Sequence, residues 1–141
     1  MANPTVTVKN VKPLLPSTVL PGKAGAAITA AVGKVVRRDS DGDWVLAQAD
    51  SLANATGEIG IVVATGRIEQ DGDALEGEAL SVLIQGRIAG LTVLDETKNY
   101  YLSDNTAGLI EDVAPTFLRF VGNAENSETF YFNPVGAPAS V

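Results

Sequence analysis

Runs of β-prone residues in this chain are broken about every ten residues by Gly, Asn or Asp. That rhythm leaves no room for long helices and is the pattern of an all-β sandwich or barrel. Lys34-Val35-Val36-Arg37-Arg38 reads as a strand, Asp39-Ser40-Asp41-Gly42-Asp43 as a turn, and Trp44-Val45-Leu46-Ala47 as the returning strand. Asp-Gly between two such runs is a hairpin signal, because Gly supplies positive φ without a steric cost. Further strands are expected at Ile59–Ala64, Leu80–Ile84, Arg87–Leu91, Tyr100–Leu102, Phe117–Val121 and Thr129–Phe132. Gln48–Ala55 is the helical candidate, about two turns long, and Ala26–Val32 reads as either helix or strand.

The first 25 residues break the rhythm. Pro4, Pro13, Pro16 and Pro21 forbid a continuous helix and a central strand there. Thr5–Val8 suits a short edge strand. Leu14, Leu15, Val19 and Leu20 sit among the prolines, and a purely solvated linker does not need them. The segment is therefore expected to be an extended arm lying on a surface, either its own body or a partner. The expected organisation is an N-terminal arm over 1–25, a β domain over 26–134 and a C-terminal tail over 135–141. The fold class is all-β: a small sandwich or barrel of short antiparallel strands with one short helix and an extended Pro-rich arm. An arm that is separable from the body implies that a chain lacking residues 2–22 still folds.

Charge is divided further along the chain, inside the first hairpin of the body. Residues 1–38 hold Lys9, Lys12, Lys23, Lys34, Arg37 and Arg38 and no carboxylate, whereas residues 39–141 hold all 17 Asp and Glu against Arg67, Arg87, Lys98 and Arg119. A basic arm raises the question of nucleic acid, but the first aromatic residue is Trp44, so the arm has no stacking platform, and the acidic body repels a polyanion. No nucleic-acid partner is expected. Lys34, Arg37 and Arg38 are expected to balance the neighbouring Asp39, Asp41 and Asp43.

Composition removes most catalytic chemistry. The chain has no Cys and no His, so thiolate nucleophiles, imidazole bases and Cys- or His-ligated metal sites are excluded. No apolar run approaches the roughly 20 residues that span a bilayer, and no signal peptide is read at the N-terminus. Asp39, Asp41, Asp43 and Asp50 have part of a calcium-loop spacing, but the sixth position is Trp44 rather than Gly, and a solvated hairpin turn is the preferred reading. Glu69, Asp71, Asp73, Glu76 and Glu78 form an acidic, Gly-punctuated stretch that reads as a solvated loop rather than a carboxylate pair for hydrolysis. No enzymatic activity, catalytic residue, cofactor or metal is expected. Phe117, Phe120, Phe130 and Phe132 supply most of the large side chains, so the C-terminal third is expected to close the core.

Several pieces carry a family resemblance through their order. They are Gly33-Lys34-Val35-Val36, Asp41-Gly42-Asp43-Trp44 and Ala47-Gln48-Ala49-Asp50, then Gly57-Glu58-Ile59-Gly60-Ile61 and Leu80-Ser81-Val82-Leu83-Ile84-Gln85-Gly86-Arg87-Ile88. Tyr100-Tyr101-Leu102-Ser103, Thr106-Ala107-Gly108-Leu109 and Phe120-Val121-Gly122-Asn123-Ala124 complete the series. From Gly33 to Pro134 the chain resembles the phage capsid cement or head-decoration proteins of the small, mainly-β, trimer-forming type. The resemblance implies a virion structural protein, made in the host cytoplasm, that sits as a homotrimer on the outer surface of the mature head and bridges major capsid protein subunits. The arm would then meet a neighbouring protein through Lys9, Lys12 and Lys23 as charges and Leu14, Leu15, Val19 and Leu20 as apolar anchors. The alternative is a phage tail-fibre or carbohydrate-binding β module, which needs an exposed aromatic platform from Trp44, Tyr100 and Tyr101.

Overall fold

A computed structural model describes residues 5–6, 11–55, 57–66, 73–92, 94–113, 117–134 and 139–140. Its strands are β1 (Thr5–Val6), β2 (Lys12–Lys23), β3 (Val35–Arg38), β4 (Trp44–Leu46), β5 (Ile59–Thr65), β6 (Ala79–Ala89) and β7 (Leu91–Thr92). They continue as β8 (Asn99–Leu102), β9 (Ile110–Glu111), β10 (Phe117–Leu118), β11 (Phe120–Ala124), β12 (Thr129–Phe132) and β13 (Ala139–Ser140), with one helix, α1 (Leu52–Ala55). The protein is therefore mainly β.

The predicted hairpin forms between β3 and β4. Asp39 closes it: its N–H donates to the Asp43 carbonyl at 2.8 Å, and its Oδ1 accepts the N–H groups of Asp41 and Asp43, each at 2.9 Å. Gly42 takes φ +83°, the left-handed conformation that its lack of a Cβ permits. The carboxylate is thus spent on its own turn, as Asx side chains commonly are.

Nine strands make one antiparallel sheet in the order β4-β3-β5-β6-β12-β11-β8-β9, with β2 also paired to β6. The long β6 organises it. β5 pairs with Leu80–Leu83 and β12 with Gly86–Ala89, while β2 runs along β6 from Lys12↔Ala89 to Lys23↔Ala79. The sheet thus forks along one side of β6 and is bordered on the other by β2. The two far ends of the path curl back towards each other. Val35 N–H donates to the Gly108 carbonyl (2.8 Å), Gly108 N–H to Ala47 (2.7 Å) and Ala49 N–H to Ser103 (2.8 Å), which ties the β3–β4 end to the β8–β9 end. The chain ends add two small pairs, β1 with β7 and β10 with β13.

Inside the curl lie Trp44, Tyr100, Phe130 and Phe132, each with no exposed surface, among Ile59, Ile61, Leu83, Ile88 and Leu102. Tyr100 and Phe130 meet edge to face with ring centres 5.7 Å apart. Phe130 and Phe132 share the inward face of β12, as the two-residue period requires. Phe117 and Phe120, expected in the core, are half-buried, and Phe120 packs instead on the half-buried Tyr101 at 6.2 Å. Trp44 and Tyr100 take their places, so the core is closed from both halves of the chain.

Four local expectations change. The helix is one turn, Leu52–Ala55, and Gln48 and Ala49 before it are tied elsewhere, their N–H groups donating to the Asn54 and Ser103 carbonyls. Ser51 Oγ, which accepts the Asn54 N–H, caps the turn that remains. Leu80–Ile84 and Arg87–Ala89 are one strand, not two, since β6 passes through Gly86 at φ +123°. Phe117–Val121 divides into β10 and β11. Ala26–Val32 forms neither a helix nor a strand; the Ile28–Ala74 bridge and the bond from the Ala30 N–H to Asp73 Oδ1 anchor it.

Candidate functional site

Most of the residues expected to bind a partner lie on β2. Lys12, Leu15, Val19 and Lys23 are exposed, Leu14 and Leu20 are half-buried, and Lys9 lies outside the described residues. Leu15 is 84% exposed, the largest value among the large apolar side chains described. The arm therefore lies on its own body from Lys12 to Lys23, and leaves Leu15 and Val19 exposed between two exposed lysines. No strand covers the outer side of β2 among the described residues. Pro13, Pro16 and Pro21 are tolerated on such an edge strand, and they break the row of outward N–H groups that would otherwise template another strand.

The position of Leu15 is set by its backbone. Pairing skips from Leu14↔Arg87 to Ser17↔Gly86, so Leu15 and Pro16 bulge out of register. Gly86 faces this bulge: a Cβ at Gly86 would meet Ser17 Cα at 2.5 Å and the Pro16 carbonyl at 2.6 Å. Arg87 clamps it from beside. Its Nε and NH2 donate to the two Glu125 oxygens at 2.9 and 2.7 Å, and NH1 reaches the Leu15 carbonyl at 3.4 Å. The ion pair is about one-third exposed, so its value lies in fixing geometry more than in stability.

The other end of β2 is seated on Trp44. Gly22 lies against the indole nitrogen edge, where no side chain would fit, and the Arg38 guanidinium covers the ring at 4.4 Å from its centre. An exposed platform of Trp44, Tyr100 and Tyr101 does not exist here: Trp44 and Tyr100 are buried, and Tyr100 Oη accepts the Asp95 N–H at 2.8 Å.

The basic residues of the first hairpin find partners other than those expected. Arg38 pairs with Glu58 at 2.6 Å and donates to the Gly42 carbonyl. Arg37 reaches Asn54 Oδ1 at 3.3 Å, and Lys34 donates to the Thr29 carbonyl. Asp39 is occupied by its turn, and β5 brings Glu58 alongside Arg38. Among the described residues, no group of three acidic side chains is placed to hold a metal ion. In the acidic stretch, Asp73 Oδ1 accepts the Ala30 N–H and Glu78 Oε1 the Leu75 N–H, so both serve backbone geometry. Glu69 and Asp71 lie outside the described residues.

Arg119 was not singled out from sequence. It is 5% exposed and donates to the carbonyls of Ala55 (2.9 Å) and Gly57 (3.0 Å), where α1 ends. Burial pushes its pKa down from the ordinary arginine value. The signal was a lone cation inside the apolar run Phe117–Val121, which sequence alone does not separate from an exposed one. Arg119→Met leaves those carbonyls unpaired and is expected to cost about 2–3 kcal/mol in urea unfolding.

Neither the protein-family models, nor the curated proteins, nor the solved structures compared with this chain match it.

Proposed function

We propose that this protein is a virion structural protein, a capsid cement that binds the outer surface of a mature phage head as a homotrimer and bridges major capsid protein subunits. The motif order from Gly33 to Pro134 suggests the class. The observation that carries the reading furthest is the exposed outer side of β2, where Leu15 and Val19 stand between Lys12 and Lys23 on a rigidly seated strand. A rigid apolar row flanked by cations suits attachment to protein surfaces, a neighbouring copy as well as the shell, because little side-chain and backbone freedom is lost on docking. Three such rows in a trimer add their contacts through high effective concentration. The load on such a protein is mechanical, and a sheet tied end to end by backbone hydrogen bonds suits it.

The test uses the purified full chain. Light scattering is expected to give three times the 14.6 kDa chain mass, and the protein is expected to co-sediment with expanded empty shells but not with unexpanded ones. A monomer that ignores shells overturns the proposal.

A further inference from the structure

An open concavity of about 560 Å³ lies where β2 ends. Its walls are Pro21, Gly42, Gly77 and Ala79, small or ring-shaped groups that leave room for a side chain from outside, with Lys23 and Asp43 as the charged lining. A Cβ at Gly42 or at Gly77 would meet nothing within 4 Å, so the space beside both turns is open. At the other end of the same strand stands Leu15, held outward by the bulge and by the Arg87–Glu125 clamp. One strand thus carries a protruding apolar side chain and a recess of small residues.

We infer that the recess takes Leu15 of a second copy of this chain, so that copies associate head to tail. Charge favours this occupant. Among the described residues, Asp43 in the lining, Asp39 and Asp41 in the same turn and Glu76 beside Gly77 outnumber Lys23 and Arg38, which makes the recess side net acidic. Lys12 and Arg87 against Glu125 make the Leu15 side net basic. Opposite signs on two different patches of one chain draw unlike patches together. Contacts of that kind close into rings when the rotation between copies allows it. The alternative, two β2 edges pairing antiparallel across a two-fold axis, is opposed by Pro13, Pro16 and Pro21, which remove donors from that edge. The inference rests on the proposed trimer and names its interface: Leu15 serves the contact between copies, and Lys12 and Val19 stay exposed on β2 for the shell.

The natural chain has no Cys, so disulfide trapping reads the contact against no background. Leu15→Cys/Ala79→Cys, oxidised in solution and run on a denaturing gel, is expected to give a covalent ladder reaching three copies, with each single variant giving monomers. Both positions are exposed, so the fold is retained, and circular dichroism checks this. Dimers from Leu15→Cys alone, a double-variant ladder that stops at two copies, or no cross-link at all overturns the inference. Leu15→Glu is expected to weaken self-association at least about tenfold; unchanged association also overturns it. No shells enter these measurements, so loss of shell binding and loss of the contact between copies are read separately.

Discussion

Removal of residues 2–22 is expected to abolish the cooperative unfolding transition, followed by circular dichroism on heating. The arm was expected to be separable, and the pairing of β2 reverses that. β6 is the strand from which the sheet forks, and its second edge is covered by β2 along nearly its whole length. Truncation strips that edge. Backbone groups beside Val82, Leu83 and Ile88, all fully buried, lose their partners, and each such loss costs about 1–3 kcal/mol when it is not made good by water. Loss of Gly22 also opens the indole edge of Trp44 to solvent. A domain of this size has about 5–15 kcal/mol in total, so a few of these losses suffice. A synthetic peptide covering 2–23 is expected to restore structure by adding back the missing strand. A truncated chain that melts as cooperatively as the full one would show that β2 is an accessory.

Gly122→Ala is expected to cost about 3–5 kcal/mol, measured as a shift in the urea midpoint at unchanged slope. Gly122 pairs with Phe132 on one side and Tyr100 on the other, next to the register shift at Phe120/Gly122. It adopts φ +154°, and a Cβ there would overlap the Tyr131 carbonyl oxygen and press on the Phe130 ring. Neither obstacle is the free end of a flexible side chain, so the sheet itself must shift. Gly42→Ala supplies the control. Gly42 also has positive φ, but nothing stands within 4 Å of its would-be Cβ, so about 1–2 kcal/mol of backbone cost is all it carries. Equal losses at the two sites would mean that backbone conformation, not the close approach, requires glycine at 122.

What the sequence determined by itself was local. Asp39-Ser40-Asp41-Gly42-Asp43 specifies its turn because every partner lies within four residues. Thr129–Phe132 specifies its strand and its inward face because alternation is a property of the strand alone. The β class follows from the repetition of such signals. The tertiary structure decided everything that depends on which strand lies beside which. It made a proline-rich segment a strand by placing it at an edge, where missing donors are tolerated, and it joined two expected strands into β6 because Gly86 lets the backbone of β2 approach there. The partner-binding row follows the same division. Its residue types were legible, but only the bulge and the Arg87 clamp turned Leu15 outward, while Leu14 and Leu20 lean on the body. Arg38 pairs with Glu58 rather than with an Asp of its own turn, and Trp44 is core rather than surface, for one reason. Twenty residues separate Arg38 from Glu58 and twenty-two separate Trp44 from Gly22, and contacts across such distances exist only once the sheet has curled.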